Sequence, residues 1–513
     1  MKRILGLVLC ASMALVLFIG CGLVGGSNDT TTVTVWFMGG TVADDSDVIA
    51  AANARLQALD LNIAINPVWT GGWSMGDAAQ VALDTGDTSV DVFWAGSWGL
   101  NFYTNAAVGN FVRLDNPDNN LLAQYGQDMR NAVPDTLWNA FTTAGPSGTG
   151  IYGIPGYKDY AQMYTWDVNN TRLAELGFDF DEMFDPDGFN YNVFFDPQFE
   201  AAMVAAQAMW GPTFFPLVPE PELFVRALAN ADRDMTEIHV FHLGFDPANP
   251  ALPVNPDIGL NLENDLYLRV LDRMHHFWNM GFIDPRVAIS GESSSVVVES
   301  RNTGNYLFSA IVYAYGHGSQ AANDRGIDAR FPRISHPIVS TGSAAGSGFA
   351  ISVYSQNQAA AMQLMNAWYT DSELATILAY GVEGTHFTTN ADGTITRAED
   401  ASAIYNPWRF GMGNIFILPP TDVDGPGYFE RFQAYNAAGI GTALLGFVFD
   451  TEPVSVQMGA LAGVRDQFHG TLTVGAVDPA TTVPEYLAAL RANGVDEVLA
   501  ELNRQLQVFY ASR

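Results

Sequence analysis

The sequence predicts an α/β protein with at least two lobes, and three observations support this. The chain has 513 residues, which is too long for one ordinary hydrophobic core. Near its start, short apolar runs of strand-forming residues alternate with segments of helical periodicity, an order that is typical of a parallel sheet. A hydrophobic fraction of 48% and an aromatic fraction of 12% suit a globular protein.

Three strands and two helices follow in order after the N-terminal segment. Strands are predicted at residues 33–37, 61–69 and 90–94, and helices at residues 47–59 and 76–85. In such a β-α-β-α-β unit the strands run parallel, so their carboxyl ends meet at one edge of the sheet. Ligands of open α/β sheets bind at that edge.

The turn after the third strand is the first candidate binding site. It consists of small residues, including Ser97, and one large aromatic residue, Trp98. Because Trp98 is difficult to bury among small polar residues, we predict that it contacts a ligand. Trp94, at the end of the strand, is either a core residue or a second contact. Trp69 ends the preceding strand and is a further candidate aromatic platform.

A second candidate segment spans residues 150–166. Its glycines permit a close approach of the backbone to a ligand, and Lys158, Asp159 and Tyr160 supply a cation, an acceptor and an aromatic face. We predict that Asp159 and Tyr160 line a cleft. The alternative is a solvated turn with a local ion pair, which would contribute little to stability.

Later in the chain, an apolar run at residues 307–312 leads into Tyr313, Tyr315 and His317. Period-two spacing places these three side chains on one side of a strand. At least one of them is expected to pack in the core, and Tyr315 is predicted to stack on a ligand. Two further candidates are Glu383, which follows a helix and has glycines close by, and Trp408, which lies in a glycine-rich segment.

The N-terminus has the pattern of a secretory signal. A basic start, Lys2 and Arg3, precedes a short apolar run, and Cys21 directly follows a small residue. We predict a signal peptide at residues 1–20, a lipid on Cys21 and a flexible tether at residues 21–32. The alternative is an ordinary signal cleaved nearby, which leaves a free thiol at Cys21. The other cysteine, Cys10, lies in the removed segment, so no disulfide is expected.

Charge and motifs narrow the classes of function. The formal net charge is −32, or −34 after the loss of Lys2 and Arg3, which argues against binding to nucleic acid. We find no nucleophile elbow, zinc-protease motif or phosphate loop, and no metal or other cofactor is predicted. The sequence therefore favours binding over catalysis.

Four segments, at residues 89–114, 150–166, 345–387 and 440–513, resemble extracellular solute-binding proteins of ABC importers. The resemblance is to the sugar-type group that includes the maltodextrin binders, and within it to a lipoprotein subfamily with an added C-terminal module of unknown function. The last segment is predicted to form helices at residues 456–472, 483–493 and 495–510. In maltodextrin binders the turn at 96–98 carries charged sugar contacts, which Gly96, Ser97 and Trp98 replace here.

This resemblance implies a two-lobe periplasmic-binding-protein-like type 2 fold, maltodextrin-binding-protein-like, with a helical C-terminal extension. The expected division is residues 33–165 with about 340–387 for lobe 1, residues 166–339 with about 388–440 for lobe 2, and residues 441–513 for the C-terminal module. It also implies a monomer that is exported and membrane-anchored, carries a sugar or oligosaccharide in an aromatic-lined cleft, and delivers it to ABC permease subunits.

Two alternatives remain open at this point. One is a secreted carbohydrate-active enzyme, because the many carboxylates of the chain allow an acid–base pair that no motif marks. The other is the same binder fold holding a peptide. The residues predicted to contact a ligand are shared by all these functions: Trp69, Trp94, Ser97, Trp98, Asp159, Tyr160, Tyr313, Tyr315, His317, Glu383 and Trp408.

Overall fold

The structure is a computed structural model. It describes the following residues: 30–70, 75–185, 188–219, 240–243, 245–246, 249–253, 257–289, 293–313, 315 and 326–511. The predicted signal peptide, Cys21, most of the tether and His317 lie outside the described residues. In the part of the chain that the structure describes, no helix combines the length and the apolar character that a membrane span needs.

The predicted parallel unit forms the first lobe. Its strands are Thr31–Phe37, Ile63–Trp69 and Val92–Ala95, and the helices between them are Ser46–Ala58 and Met75–Asp84. Thr31–Phe37 lies between the other two strands and is parallel to both. Beyond Val92–Ala95, two antiparallel neighbours complete the five-stranded sheet, and they are Gly348–Ile351 and Ile154–Pro155.

The first core covers this sheet on both faces. All four residues of Val92–Ala95 are buried, as expected for a strand between two layers. The helices Gln358–Thr370 and Ser372–Tyr380 bury apolar side chains in the same core. Asp371 begins the second of these helices, because its carboxylate accepts the backbone N–H of Leu374.

The second lobe has its own sheet and its own core. The strand order is Ala329–Arg330, Met163–Asn169, Phe308–Tyr313 and Leu217–Val218. The long helices Pro197–Trp210 and Asp265–Asn279 bury their apolar faces against it.

The C-terminal module supplies three of the helices that form the second core. These are Ser455–Thr473, Pro479–Ala492 and Val495–Ala511, close to the bounds that the sequence predicts. Buried side chains such as Leu461, Leu490 and Leu502 belong to the same core as Trp166 and Phe199. The module is therefore packed into the second lobe.

Residues 388–440 differ from the predicted division, which assigned them to lobe 2. Met412, Ile415 and Phe432 are buried in the first core, because the helix Tyr428–Ala437 and the turns before it pack on the first lobe. The sequence pattern of this segment does not show which of the two cores it covers.

The described chain passes between the two cores at three places, between Ala161 and Trp166, between Ile334 and Val339, and between Phe432 and Leu444. The three segments lie side by side. Gln162 forms an antiparallel bridge with Ile338, and Ile338–Val339 pairs with Ile440–Gly441 in parallel. A narrow connection of three adjacent segments is the form of a hinge.

Shorter elements complete the described fold. The remaining α-helices are Phe102–Val108, Leu121–Tyr125, Gln127–Ala132, Asp135–Ala140, Asn170–Glu175, Phe180–Met183, Ser293–Thr303, Thr341–Ala344 and Ala401–Ile404. The 3₁₀ turns are Tyr191–Phe195, Asn261–Glu263, Pro285–Ala288, Arg409–Gly411, Ile415–Ile417 and Glu452–Val454. Paired short strands are Gly40–Val42 with Tyr405–Pro407, Thr142–Thr143 with Gly150–Ile151, Phe241–His242 with Gly259–Leu260, Phe245–Asp246 with Asn249–Pro253, and Phe387–Thr389 with Ile395–Arg397.

Candidate functional site

The turn that follows Val92–Ala95 is tied to the second crossing between the lobes. The Ser97 hydroxyl donates to the Gly342 carbonyl at 2.8 Å, and the Ser97 backbone N–H donates to the Ala345 carbonyl at 2.9 Å. A Cβ atom on Gly96 would lie 3.0 Å from the Gly346 carbonyl oxygen and 3.1 Å from the Trp94 ring. Glycine therefore suits the close approach of these two segments, since a larger residue would have to displace its neighbours by a few tenths of an ångström.

Three tryptophans meet at this turn, and we call Trp94, Trp98 and Trp408 the tryptophan cluster. The ring centroids are 5.2 Å apart for Trp94 and Trp98, 6.0 Å for Trp94 and Trp408, and 5.9 Å for Trp98 and Trp408, all in edge-on arrangements. The sequence separates Trp408 from the other two by about three hundred residues, and the fold brings it to them.

The three members differ in exposure. Trp94 is fully buried, and its indole N–H donates to the Ser347 hydroxyl at 2.8 Å. Trp98 is 47% exposed, and its indole N–H donates to the Gly346 carbonyl at 2.6 Å. Trp408 is half-buried. Of the two alternatives for Trp94, the structure shows a core residue. Its buried ring packs against the exposed ring of Trp98.

Asp159 and its neighbour form a buried ion pair where the chain first crosses between the lobes. Lys158 Nζ lies 2.6 Å from Asp159 Oδ1, and both side chains are almost completely buried. The structure therefore shows the local ion pair of the alternative prediction, but the pair is buried and not in a solvated turn. Taking two charges out of water is costly, and each charge compensates the other here.

Tyr160 follows at the same crossing and is half-buried. Its backbone N–H donates to Asn436 Oδ1 at 3.2 Å, and its carbonyl accepts the Ser343 hydroxyl at 2.8 Å. Burial raises the pKa of the Tyr160 hydroxyl above its ordinary value. The hydroxyl is therefore protonated at neutral pH and able to donate a hydrogen bond.

With this geometry established, comparison with known proteins identifies the architecture. A "carbohydrate ABC transporter substrate-binding protein" of Streptococcus pneumoniae serotype 4 is 22% identical over 496 residues, which is 95% of this chain and 92% of the relative. The crystal structure of the N-glycan transport solute binding protein NgtS from Streptococcus pneumoniae superposes with a TM-score of 0.78 at 20% identity, over 93% of this chain and 99% of that one. The fold is that of the extracellular solute-binding proteins.

Two further comparisons agree with this solute-binding fold. An HMO-binding, ABC-transporter-associated solute binding protein from Bifidobacterium longum infantis matches with a TM-score of 0.60 at 16% identity, over 94% of this chain and 99% of that one. Residues 443–511 match the model of DUF3502, a domain of unknown function. The predicted two-lobe α/β fold and the predicted C-terminal module are confirmed.

Within this solute-binding fold, Tyr313 and Tyr315 have different surroundings. Tyr313 ends a strand of the second lobe and is half-buried, with its ring 5.8 Å from that of Phe331. The Tyr315 ring lies against three aromatic rings of the helix Tyr428–Ala437, which belongs to the first lobe. This differs from the prediction that Tyr315 offers a free stacking face.

Trp69 and Glu383 have other surroundings. Trp69 stacks on Phe37 with 4.4 Å between ring centroids, and its indole N–H donates to Asp45 at 2.7 Å. Glu383 is exposed and lines a separate cavity of about 790 Å³ between the helices Ser46–Ala58 and Ser372–Tyr380. None of the tryptophan cluster lines that cavity. The structure therefore places Glu383, a predicted candidate ligand contact, at this cavity and not at the tryptophan cluster.

Sequence reasoning missed a buried ion pair beside the cluster. Arg409, the residue after Trp408, lies 2.7 Å from Asp424 Oδ2, and its guanidinium is also 3.4 Å from the Tyr380 hydroxyl. Both charged side chains are largely buried. The pair fixes the backbone next to Trp408, but the two residues lie fifteen positions apart in irregular chain and leave no local sequence signal.

We also searched the titratable residues in the described part of the chain for a metal-binding arrangement. Among the described residues, no group of three or more histidine, cysteine, aspartate or glutamate side chains is arranged to hold a metal ion. The arrangement at the crossing is suited to non-covalent binding, since it offers aromatic faces together with hydroxyl and backbone hydrogen-bonding groups.

Proposed function

We propose that this chain is the substrate-binding component of an ABC importer and holds a sugar or oligosaccharide between its lobes. The observation that carries the proposal is the tryptophan cluster, whose outer member Trp98 exposes about half of its surface. The Trp98 and Trp94 indoles donate to Gly346 and Ser347, in a segment that directly follows the second crossing between the lobes. A ligand on Trp98 therefore lies close to the hinge, where both lobes are within reach.

The chemistry of the cluster suits a carbohydrate. The C–H faces of a sugar ring pack on indole rings, and its hydroxyls exchange hydrogen bonds with side chains and backbone groups. Trp98 and Trp408 are our proposed platforms, with Tyr160 and Tyr313 as proposed hydrogen-bonding contacts. The relative from Streptococcus pneumoniae is named as a carbohydrate ABC transporter protein, and NgtS has been crystallised with Man5GlcNAc, which supports a carbohydrate over a peptide.

The proposal includes binding without turnover. Asp159, the carboxylate at the first crossing, is compensated by Lys158 and is therefore poorly placed to act as an acid or base. Binding that contacts both lobes shifts the population toward the closed form and needs no bond to break. A permease that recognises the closed form is the proposed partner.

Export and anchoring complete the proposal. The signal at residues 1–20 directs the chain out of the cell, and Cys21 carries the lipid that holds it at the envelope as a monomer. Mass spectrometry of the protein from a bacterial host tests the anchor. A lipid mass on the N-terminal peptide that disappears in Cys21→Ser supports it, and an unmodified N-terminus contradicts it.

Isothermal titration calorimetry against a panel of oligosaccharides and peptides tests the function, with chromatography of the ligand after incubation. Saturable binding of a sugar that is recovered intact is the expected result. Release of shorter products would identify an enzyme, and binding of peptides in preference to sugars would identify a peptide binder. Either result would overturn the proposal.

A further inference from the structure

Tyr315 extends from the second lobe into an aromatic socket on the first, formed by Tyr428, Phe432 and Tyr435. Its ring centroid lies 5.5 Å from that of Tyr428, 5.4 Å from that of Phe432 and 5.7 Å from that of Tyr435. The three socket residues are spaced i, i+4 and i+7 on one face of the helix Tyr428–Ala437. A tyrosine with rings on this many sides has little surface left for stacking on a sugar.

Two hydrogen bonds fix Tyr315 in the socket. The Tyr428 hydroxyl donates to the Tyr315 carbonyl at 3.2 Å, and Arg431 Nε donates to the Tyr315 hydroxyl at 3.0 Å. Both the backbone and the side-chain end of Tyr315 are thus held by the same helix. The contact has a defined geometry, which a loose hydrophobic contact would lack.

The helix that forms the socket is firmly part of the first lobe. Phe429 and Phe432 are buried in the first core. Asn436, near the end of the helix, accepts the backbone N–H groups of Tyr160 and Ala161 and donates to the Lys158 carbonyl at 2.8 Å. The socket is therefore rigidly joined to the first crossing segment.

Tyr315, in contrast, follows the strand Phe308–Tyr313, which pairs along its length with Met163–Asn169 in the sheet of the second lobe. The contact thus joins the two lobes at a point additional to the three crossing segments. Rotation about the hinge moves the end of this strand relative to the helix and must alter the ring contacts and the two hydrogen bonds.

We propose that Tyr315 is a positioning residue, a clasp that holds the two lobes at the angle seen in this structure. The clasp restricts the range of lobe separations in the ligand-free protein. Where it concerns ligand binding it rests on the proposed function, because a narrower range of lobe angles changes the fraction of molecules competent to close on a sugar.

Distance measurements between spin labels test the clasp without any ligand. Labels are placed at the exposed positions Val81→Cys in the first lobe and Met209→Cys in the second. The chain also carries Cys10→Ser and Cys21→Ser, so that no other thiol remains whether or not the signal is removed. Pulsed electron–electron double resonance then compares the distance distributions of wild-type, Tyr315→Ala and Arg431→Gln. The matched control is Tyr103→Ala, which removes another half-buried tyrosine whose ring and hydroxyl contacts at Phe102 and Ala140 lie within the first lobe.

The expected result is a wider and shifted distance distribution for Tyr315→Ala, a smaller widening for Arg431→Gln, and the wild-type distribution for Tyr103→Ala. Distributions for both clasp variants that match wild type would overturn the proposal. If Tyr315→Ala does not fold, Arg431→Gln, at an exposed residue, decides alone. A sugar titration distinguishes the clasp from a direct sugar contact by Tyr315. Weaker sugar binding by Tyr315→Ala, with an unchanged distance distribution in the ligand-free protein, would identify a sugar contact and contradict the clasp. Because the distance measurement needs no sugar, failure of the proposed function leaves its outcome valid.

Discussion

The first lobe surrounds its five-stranded sheet with chain from residues 31–161 and 339–432, whereas the second lobe surrounds a four-stranded sheet and takes three of its helices from the C-terminal end. The tryptophan cluster lies in the first lobe and the DUF3502 helices pack in the second. The tryptophan cluster, which is the proposed sugar platform, and the C-terminal module therefore lie in different lobes. The module, which the sequence predicts as an addition at the C-terminus, is therefore a structural part of the second lobe.

Removing the C-terminal module should have the largest effect, and it should act on the second lobe. A chain that ends at residue 440 leaves the helix Asp265–Asn279 without the side chains of Leu461, Leu490 and Leu502 that share its core. We expect the second lobe to lose its folded structure while the first lobe keeps its own. Hydrogen exchange followed by mass spectrometry measures this, with full exchange in residues 166–334 and protection in residues 31–70. Protection of both lobes would show that the module is dispensable.

A single substitution in the last helix tests the packing of the module in the second lobe with a smaller perturbation. Leu502→Ala removes a fully buried side chain, so we expect a loss of about 2–5 kcal/mol of unfolding free energy. Val508→Ala on the same helix is the control, since Val508 is exposed and a change within about 0.5 kcal/mol is expected. Urea denaturation monitored by circular dichroism gives both values. Equal effects for the two variants would contradict the packing described here.

A third substitution tests the first lobe and its response to pH. Asp371 caps the helix Ser372–Tyr380 and pairs with Arg55 at 2.7 Å. We expect Asp371→Ala to cost about 1–2 kcal/mol at pH 7. The matched control is Glu373→Gln, which alters the other, exposed partner of Arg55 and should cost less than about 1 kcal/mol.

The pH dependence follows from the pKa of this carboxyl. The hydrogen bond from Arg55 lowers the pKa of Asp371 below its ordinary value. A lowered pKa contributes stability that is complete above the unfolded value of about 3.9 and is lost as the pH falls through the folded value. The stability difference between wild-type and Asp371→Ala should therefore shrink in urea titrations below pH 4. A difference that stays constant with pH would contradict the ion pair.

The smallest effect concerns the exposed member of the tryptophan cluster. Trp98→Ala should weaken sugar binding by about 0.5–1.5 kcal/mol with an almost unchanged melting temperature. Trp94→Ala, the buried neighbour, should instead cost about 3–5 kcal/mol of stability. Calorimetric titration and thermal melting of both variants give the comparison. Unchanged affinity, or a large loss of stability in Trp98→Ala, would show that Trp98 is structural.

Local patterns predicted much of this architecture. The strands and helices of residues 31–95 and the three C-terminal helices follow from periodicity and glycine-containing turns, which act over a few residues. The Trp98 turn was predicted for the same reason, because small residues around one large aromatic are a local feature. The sequence does not decide whether Trp94 is buried, since a strand-end tryptophan fits both a core and a binding site.

Long-range packing could not be predicted. Residues 388–440 carry no signal that distinguishes one lobe from the other, and the burial of Met412, Ile415 and Phe432 in the first core decides it. Tyr315 contacts a helix that lies 113 residues further along the chain, and Trp408 joins Trp98 across a longer separation. Such contacts depend on how whole elements are oriented, which residue type and spacing do not encode.

Hydrogen exchange of the full chain, measured with and without a bound oligosaccharide, is the most direct test of sugar capture between the lobes, since it reports on both lobes at once. We expect added protection at residues 96–102 and 405–412 in the first lobe and also at residues 308–313 in the second, with the sugar recovered intact. Protection confined to one lobe, or no protection at the tryptophan cluster, would contradict capture between the lobes.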